Sequence, residues 1–265
     1  MGKIDVDRPS SARIYDYFLG GAHNFEVDRI AANELAKVHP AIGVGMRANR
    51  SYLRRAVNFL AQSGVDQFLD LGSGIPTVGN VHEIAQRANP AARVAYVDIE
   101  PIAVTHSNTI LADNERALAI RADLRDADQV LTDPDVTALL DLDRPVALIL
   151  AGVLQYIADA DDPAGMVSRY VGRLAPGSYV AMSHPSTDEL TQERAEGANR
   201  ASSMYDRTET PFHYRTKAEF ETFFRGLELV DPGVVHLWDW RPEFGSDVDD
   251  VDGQVTGFAG VGRKP

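Results

Sequence analysis

The chain has 265 residues, a length that fits one large domain with a full buried core. Its 26 Lys and Arg against 39 Asp and Glu give a formal charge of -13, so nucleic acid would be repelled unless a local basic patch compensated. The absence of cysteine excludes disulfides, thiolate zinc sites and a cysteine nucleophile, and without a signal core or membrane-length apolar run the expected location is cytoplasmic, away from membranes.

Arg13 to Leu19 reads as a short helix stopped by Gly20-Gly21. Asn24 and Asp28 precede an alanine-rich helix from Arg29 to Val38, and a further helix runs from about Gly45 to Ala61, ending at Gly64. Helices ahead of the first strand commonly fold over the carboxyl edge of the sheet. Residues 1–64 are therefore expected to form a helical lid packed on a core of residues 65–265, within one globular domain. Tyr15, Asn24 and Phe25 could close on a ligand there, or serve as core filler and turn residues. Arg47, Arg50, Arg54 and Arg55, at helical spacing, read as a solvated basic stripe with some intrachain pairing.

Val65, Phe68, Leu69 and Leu71 form a short apolar run without helical period, closed by the turn Gly72-Ser73-Gly74. Val78, Val81, Ile84 and Ala85 then recur at helical spacing. Strand, glycine loop and helix in that order open a doubly wound α/β domain with a nucleotide at its edge. A dinucleotide fingerprint would need a third glycine where Thr77 stands, and Pro76 has no N–H to offer a pyrophosphate. The carboxylate of Asp70, at the strand's end, suits instead a ligand carrying an ammonium and a sulfonium, as S-adenosylmethionine does.

Arg93 to Asp98 is a β-rich run whose final acid can accept hydrogen bonds from both ribose hydroxyls. A helix from about Ile102 to Leu111 leads to the run Leu118 to Leu124, where Asp123 could accept from an adenine amino group. Any one such acid is commonly a cap or turn residue. Three acids closing three successive strands point together to a nucleoside, with Ile99, Leu124 and Ala151 beside them on the expected cofactor wall.

Residues 126–143 read as two short helices broken at Asp133-Pro134. The continuous apolar run Val146 to Ala151 is typical of a central parallel strand, and after it Gln155 and Tyr156 stand where a methyl group and its acceptor could meet. Pro163 to Leu174 reads as a helix and Ser178 to Ser183 as a strand. His184, leaving that strand, is the best-placed titratable base, although such histidines are often bonded to backbone. Thr187 to Met204 reads as an exposed helical excursion that could form a second wall of the acceptor site, with His213 and Tyr214 as lining or packing residues. A capping box, Thr216 to Glu219, opens the last helix. Gly226 to Val235 and Gln254 to Gly262 complete a seven-stranded sheet whose last strand is antiparallel. The acidic stretch 247–252 lacks EF-hand spacing, and no metal is expected.

The segments Phe68-Leu-Asp-Leu-Gly-Ser-Gly-Ile-Pro-Thr and Val94-Ala-Tyr-Val-Asp-Ile-Glu-Pro, with Ala12-Arg-Ile-Tyr-Asp-Tyr-Phe-Leu-Gly-Gly-Ala-His-Asn-Phe, resemble the S-adenosyl methyltransferase family of actinomycetes. Much of that family has been catalogued as a domain of unknown function. The resemblance covers nearly the whole chain and implies an α/β, Rossmann-like class I methyltransferase fold, with helices on both faces of a mostly parallel sheet, that binds S-adenosylmethionine; it implies no substrate. The expected activity is methyl transfer to an O or N atom of a small or medium metabolite. His184 and Tyr156 are the candidate proton acceptors, should one be needed. The alternative is a non-catalytic sensor of S-adenosylmethionine or S-adenosylhomocysteine. Pro76 and Thr77 disfavour an NAD-dependent oxidoreductase, and the chain has no Asn/Asp-Pro-Pro-aromatic motif for adenine methylation.

Overall fold

The computed structural model describes residues 6–76, 79–205, 208, 210–243 and 256–265. Thr77, Val78, Gln254 and the acidic stretch 247–252 therefore lie outside the described residues. Five parallel strands form the frame: β1 (Gln67–Leu71), β2 (Arg93–Asp98), β3 (Ala117–Arg121), β4 (Ala147–Ala151) and β5 (Tyr179–Ser186), in the order β3-β2-β1-β4-β5. β8 (Thr256–Arg263) runs antiparallel beside β5 and carries β6 (Glu228–Leu229) and β7 (Val235–His236) on its outer side. The expected sheet is thus present with its edge strand split in two. Between the pieces, Pro232 has no N–H for a ladder and Gly233 turns the chain at φ +83°.

Alternation along the strands builds two cores. Leu69, Leu71, Val97, Leu148 and Leu150 pack on one face with α6 (Ala127–Leu131), α7 (Pro134–Leu139), α8 (Pro163–Arg173) and α10 (Lys217–Glu221). Phe68, Val94, Tyr96 and Ile149 pack on the other with α3 (Ile42–Gln62), α4 (Val81–Ala88) and α5 (Pro101–Ile110). Covered on both faces, the central strands are mostly apolar, with Gln67 and Asp70 as the buried polar exceptions of β1.

A third cluster joins α1 (Ser11–Phe18), α2 (Glu26–Val38) and α9 (Gln192–Met204) through Ile14, Leu35, Met46, Ala201 and Tyr205. These helices join the core through α3, whose first half supplies Met46 to this cluster. The second half buries Tyr52, Ala56, Val57 and Leu60 against the sheet, and Tyr52 Oη donates to the Gly260 carbonyl at 2.7 Å.

The polar residues of the first loop brace the turn between α1 and α2. Asp16, buried, accepts from the backbone N–H of His23 at 2.9 Å and from Asn24 Nδ2 at 2.8 Å. Gly21 makes room for it, since a Cβ there would lie 2.0 Å from Asp16 Oδ1. Asp28, fully buried, accepts from Ser10 N at 3.0 Å, Phe25 N at 2.8 Å and Arg13 Nε at 2.7 Å.

The expectation of a solvated basic stripe with some intrachain pairing fits exposed Arg47 and the Arg54 pair and is corrected at Arg55 and Arg50. Arg55 is buried and donates to the carbonyl oxygens of Trp240, at 2.8 Å, and Leu237. Arg54 pairs with Glu243 at 2.6 Å, and Arg50 turns to the sheet edge. Helical spacing places these residues near one another but does not say what faces them.

Candidate active site

Asp70 is the last residue but one of β1 and Asp98 the last of β2, and the turn 72–74 follows β1 between them. Gly72 N and Ser73 N donate to the Val97 carbonyl at 2.8 and 3.2 Å, which ties the turn to β2. Gly74 N donates to Asp98 Oδ2 at 2.7 Å, while Asp98 Oδ1 accepts from Glu100 N at 2.8 Å. The Asp98 carboxylate is thereby held rigidly, with lone pairs left over for hydroxyl donors.

A cleft of about 1540 Å³, mouth included, opens here at the carboxyl edge of the sheet. Gly72, Ser73 and Gly74 line it together with Asp70, Asp98 and Ile99; of the other expected residues Asp123, Leu124, Ala151 and Tyr15 are also on its wall. Ile99 is 46% exposed, an apolar side chain left uncovered where a flat ring could lie on it. Arg50, which the sequence reading had placed in the basic stripe, also reaches the wall and donates to Asn80 Oδ1 at 3.3 Å. A cation on a helix ahead of the first acid-tipped strand was the available signal.

Burial governs the electrostatics. It pushes the Asp70 carboxyl up to about 7, with Arg50 pulling it back and the neighbouring Asp98 pushing it further. Asp98 is pushed up to about 6, again by burial, against the amides of Glu100 and Gly74. Two carboxyls with raised pKa thus stand beside one guanidinium on the cleft wall.

Other expected residues fall differently. Asn24 and Phe25 are not on the cleft wall: the Asn24 amide donates to Asp16 and to the Gly21 carbonyl, and Phe25 packs on Ile75, Ile102 and Ala103. Asp123 lines the cleft but is not a free acceptor, because Arg125 holds its carboxylate through Nε, Nη2 and the backbone N–H and lowers its pKa.

His184 belongs to β5 rather than leaving it, since pairing with β8 continues to Ser186. The ring is buried with Nδ1 2.8 Å from the Pro185 carbonyl and Nε2 2.9 Å from Arg215 Nη1. An arginine can only donate, so Nε2 is the acceptor and Nδ1 carries the proton. Burial holds the imidazole pKa down to about 3. His184 is therefore a neutral structural group, and its candidacy as a base is withdrawn. Tyr156 is also corrected: burial raises its phenol above the ordinary value, so it stays protonated and can only donate or accept a hydrogen bond.

A second chamber of about 780 Å³, mouth included, adjoins the cleft, and the two share Tyr15, Asn49, Gly152 and Tyr156. Asn49 bridges this junction: its Oδ1 accepts from Ser183 Oγ at 2.5 Å and its Nδ2 donates to Tyr15 Oη at 3.1 Å. Tyr15 Oη in turn donates to the Met46 carbonyl at 3.1 Å. Leu190, Ala201, Ser202 and Tyr205 supply one wall, and Tyr214 lines the chamber while His213 does not. Tyr156 Oη stands near Gln155 and Tyr205. Even so, Gln155 Oε1 and Tyr205 Oη are buried with no hydrogen-bond partner of acceptable geometry among the described residues.

Among the described residues no group of His, Asp and Glu could hold a metal ion, and no helix is long and apolar enough to cross a membrane. No curated protein matches the chain. A solved DUF574 family protein from Streptomyces avermitilis is 41% identical, with a TM-score of 0.93 over 99% of this chain and 100% of that one. A candidate methyltransferase from Thermobifida fusca YX is 40% identical, with a TM-score of 0.89 over 98% and 97% of the two chains. The 1,6-didemethyltoxoflavin-N1-methyltransferase of Burkholderia thailandensis shares the fold alone, at 15% identity and a TM-score of 0.51 over 99% and 98%. The family model described as S-adenosyl methyltransferase matches residues 1–265, and this chain belongs to that family.

Proposed function

We propose that the cleft binds S-adenosylmethionine and that the protein transfers its methyl group to an O or N atom of a small or medium metabolite. The observation that carries the reading is the pairing of Asp70 and Asp98 with Arg50 around one glycine turn. Asp98 would accept from the ribose hydroxyls, Asp70 would face the ammonium, and Arg50 the methionine carboxylate. Ile99 and Leu124 would pack on the adenine, with its amino edge meeting the Asp123–Arg125 pair.

When bound, the donor supplies a methyl carbon to which the acceptor's lone pair forms a bond as the C–S pair returns to a now neutral sulfur and the acceptor's proton leaves to water. The protein's work is to hold two partners in line and exclude solvent. The shared residues Tyr15 and Asn49 close the junction where they meet. Neither expected candidate serves as a base at neutral pH: Nε2 of His184 is taken by Arg215 and its pKa is held down to about 3, and Tyr156 keeps its proton.

That same lack favours a second reading, a sensor that binds the donor or its demethylated product without turnover. Incubation with methyl-labelled S-adenosylmethionine and cell extract separates the two. Label transferred to an extract component supports the enzyme; label that stays wholly in the donor supports the sensor.

A further inference from the structure

We propose that this second chamber receives an uncharged, planar aromatic acceptor, gripped through its ring faces and through one N–H or O–H group that it donates. The inference rests on reading the adjoining cleft as the donor's site and names the class of molecule that site would modify.

Charge excludes most alternatives. No Asp, Glu, Lys or Arg lies on the described wall, and its two histidines, His39 and His184, are both held toward the neutral form by burial. An ionised acceptor entering here would lose its water without meeting a counter-charge. Carboxylates, phosphates and protonated aliphatic amines are therefore poor occupants.

Shape selects among what remains. Tyr156, Tyr205, Phe212 and Tyr214 form one continuous aromatic wall, with centroid separations of 5.6 Å for Tyr156–Phe212, 5.0 Å for Tyr205–Phe212 and 5.0 Å for Phe212–Tyr214. The chamber's other residues include Ile42, Met46, Leu190 and Leu237, so a flat ring would meet aromatic carbon and aliphatic carbon together.

Two polar atoms fix the remaining requirement. Gln155 and Tyr205 are 7% and 1% exposed, and Gln155 Oε1 and Tyr205 Oη have no hydrogen-bond partner of acceptable geometry among the described residues, although Tyr156 Oη stands near both. Gln155 Nε2 is already committed to the Gly152 carbonyl at 2.6 Å, which leaves the amide oxygen as an acceptor waiting for a donor. A phenolic O–H or a ring N–H supplies one. The chamber meets the cleft at Tyr15, Asn49, Gly152 and Tyr156, so an occupant sits beside the place where the methyl group would be presented.

Three probes with one ring system test this: 2-naphthol, 2-naphthoate and 2-naphthylmethylammonium, each titrated calorimetrically at neutral pH into protein saturated with S-adenosylhomocysteine. The expected result is that 2-naphthol binds at least ten-fold more tightly than either charged probe. Phe212→Ala, which opens the aromatic wall, and Met46→Trp, which fills the chamber, should each weaken 2-naphthol at least ten-fold while S-adenosylhomocysteine still binds and reports the fold. Equal or tighter binding of a charged probe, no binding of any probe to the loaded protein, or undiminished 2-naphthol binding in both folded variants would overturn the acceptor assignment and leave the cleft reading intact. Failure of S-adenosylhomocysteine itself to bind would overturn the cleft reading, and the acceptor assignment with it.

Discussion

Asn49 of α3 and Gly152, just beyond β4, are packed so closely that a Cβ on Gly152 would lie 2.6 Å from Asn49 Nδ2. Gly152 also sits at φ +71°, where side chains other than hydrogen cost roughly 1–2 kcal/mol. Gly152→Ala should therefore strain the turn and push Asn49 off Ser183 and Tyr15. We expect a lower melting temperature and S-adenosylmethionine binding weakened about ten-fold, roughly 1.4 kcal/mol. A variant unchanged in both would show that the junction is not tightly fitted.

Asp70 gives two pH dependences of opposite sign. Its folded pKa, raised to about 7 from an ordinary 3.8, means that the folded protein holds a proton the unfolded chain has released between those values. The contribution of this group to the stability of the unliganded protein accordingly falls as pH rises from about 4 to 7. An ammonium ligand prefers the ionised carboxylate, so affinity for S-adenosylmethionine should rise over pH 6 to 8, with proton release on binding. Calorimetry in buffers of different ionisation enthalpy measures that release, and Asp70→Asn should flatten both profiles. Proton uptake on binding would contradict the assignment.

The strand-loop-strand frame from Val65 to Asp98 was legible because apolar runs without helical period, glycine turns and terminal acids all carry local signals. The same signals placed Asp70 and Asp98 at the cleft, whereas Tyr15, which also lines it, stood out only through the motif that carries the family resemblance. Asn24 and Phe25 were not: the specificity of their motif reflects two buried carboxylates, Asp16 and Asp28, that need backbone donors from the loop, and spacing alone does not separate a brace from a ligand contact. Arg50 was hidden among like charges on one helix. His184 was misplaced because the antiparallel partner that extends β5 to Ser186 lies some seventy residues downstream in sequence.

Arg215 secures the floor of the chamber. It is buried and donates to the carbonyls of Leu154, at 2.9 Å, and Ile157, at 2.7 Å, as well as to His184 and Asp159. Arg215→Met would leave those carbonyls and Nε2 of His184 without donors, at about 1–3 kcal/mol for each orphaned group. Denaturant unfolding should show a midpoint well below that of the parent protein; an unchanged midpoint would mean that water replaces the guanidinium at no cost.

His184 should remain neutral through the whole working range. With its pKa held down to about 3, its imidazole nuclear resonances should not move between pH 5 and 8. An inflection near the ordinary histidine value would restore it as a base.

The central claim is that a cationic adenosyl donor occupies the cleft with its ribose on Asp98. Titration calorimetry of S-adenosylmethionine into the parent protein and into Asp98→Ala tests it most directly, with melting temperature reporting the fold by mass action. The account predicts saturable binding by the parent, no comparable binding of NADH, and a loss of about a hundred-fold or more in the variant, roughly 2.8 kcal/mol, as expected when hydrogen bonds to a charged group are removed. Equal binding by a folded Asp98→Ala protein, or a preference for NADH, would contradict it.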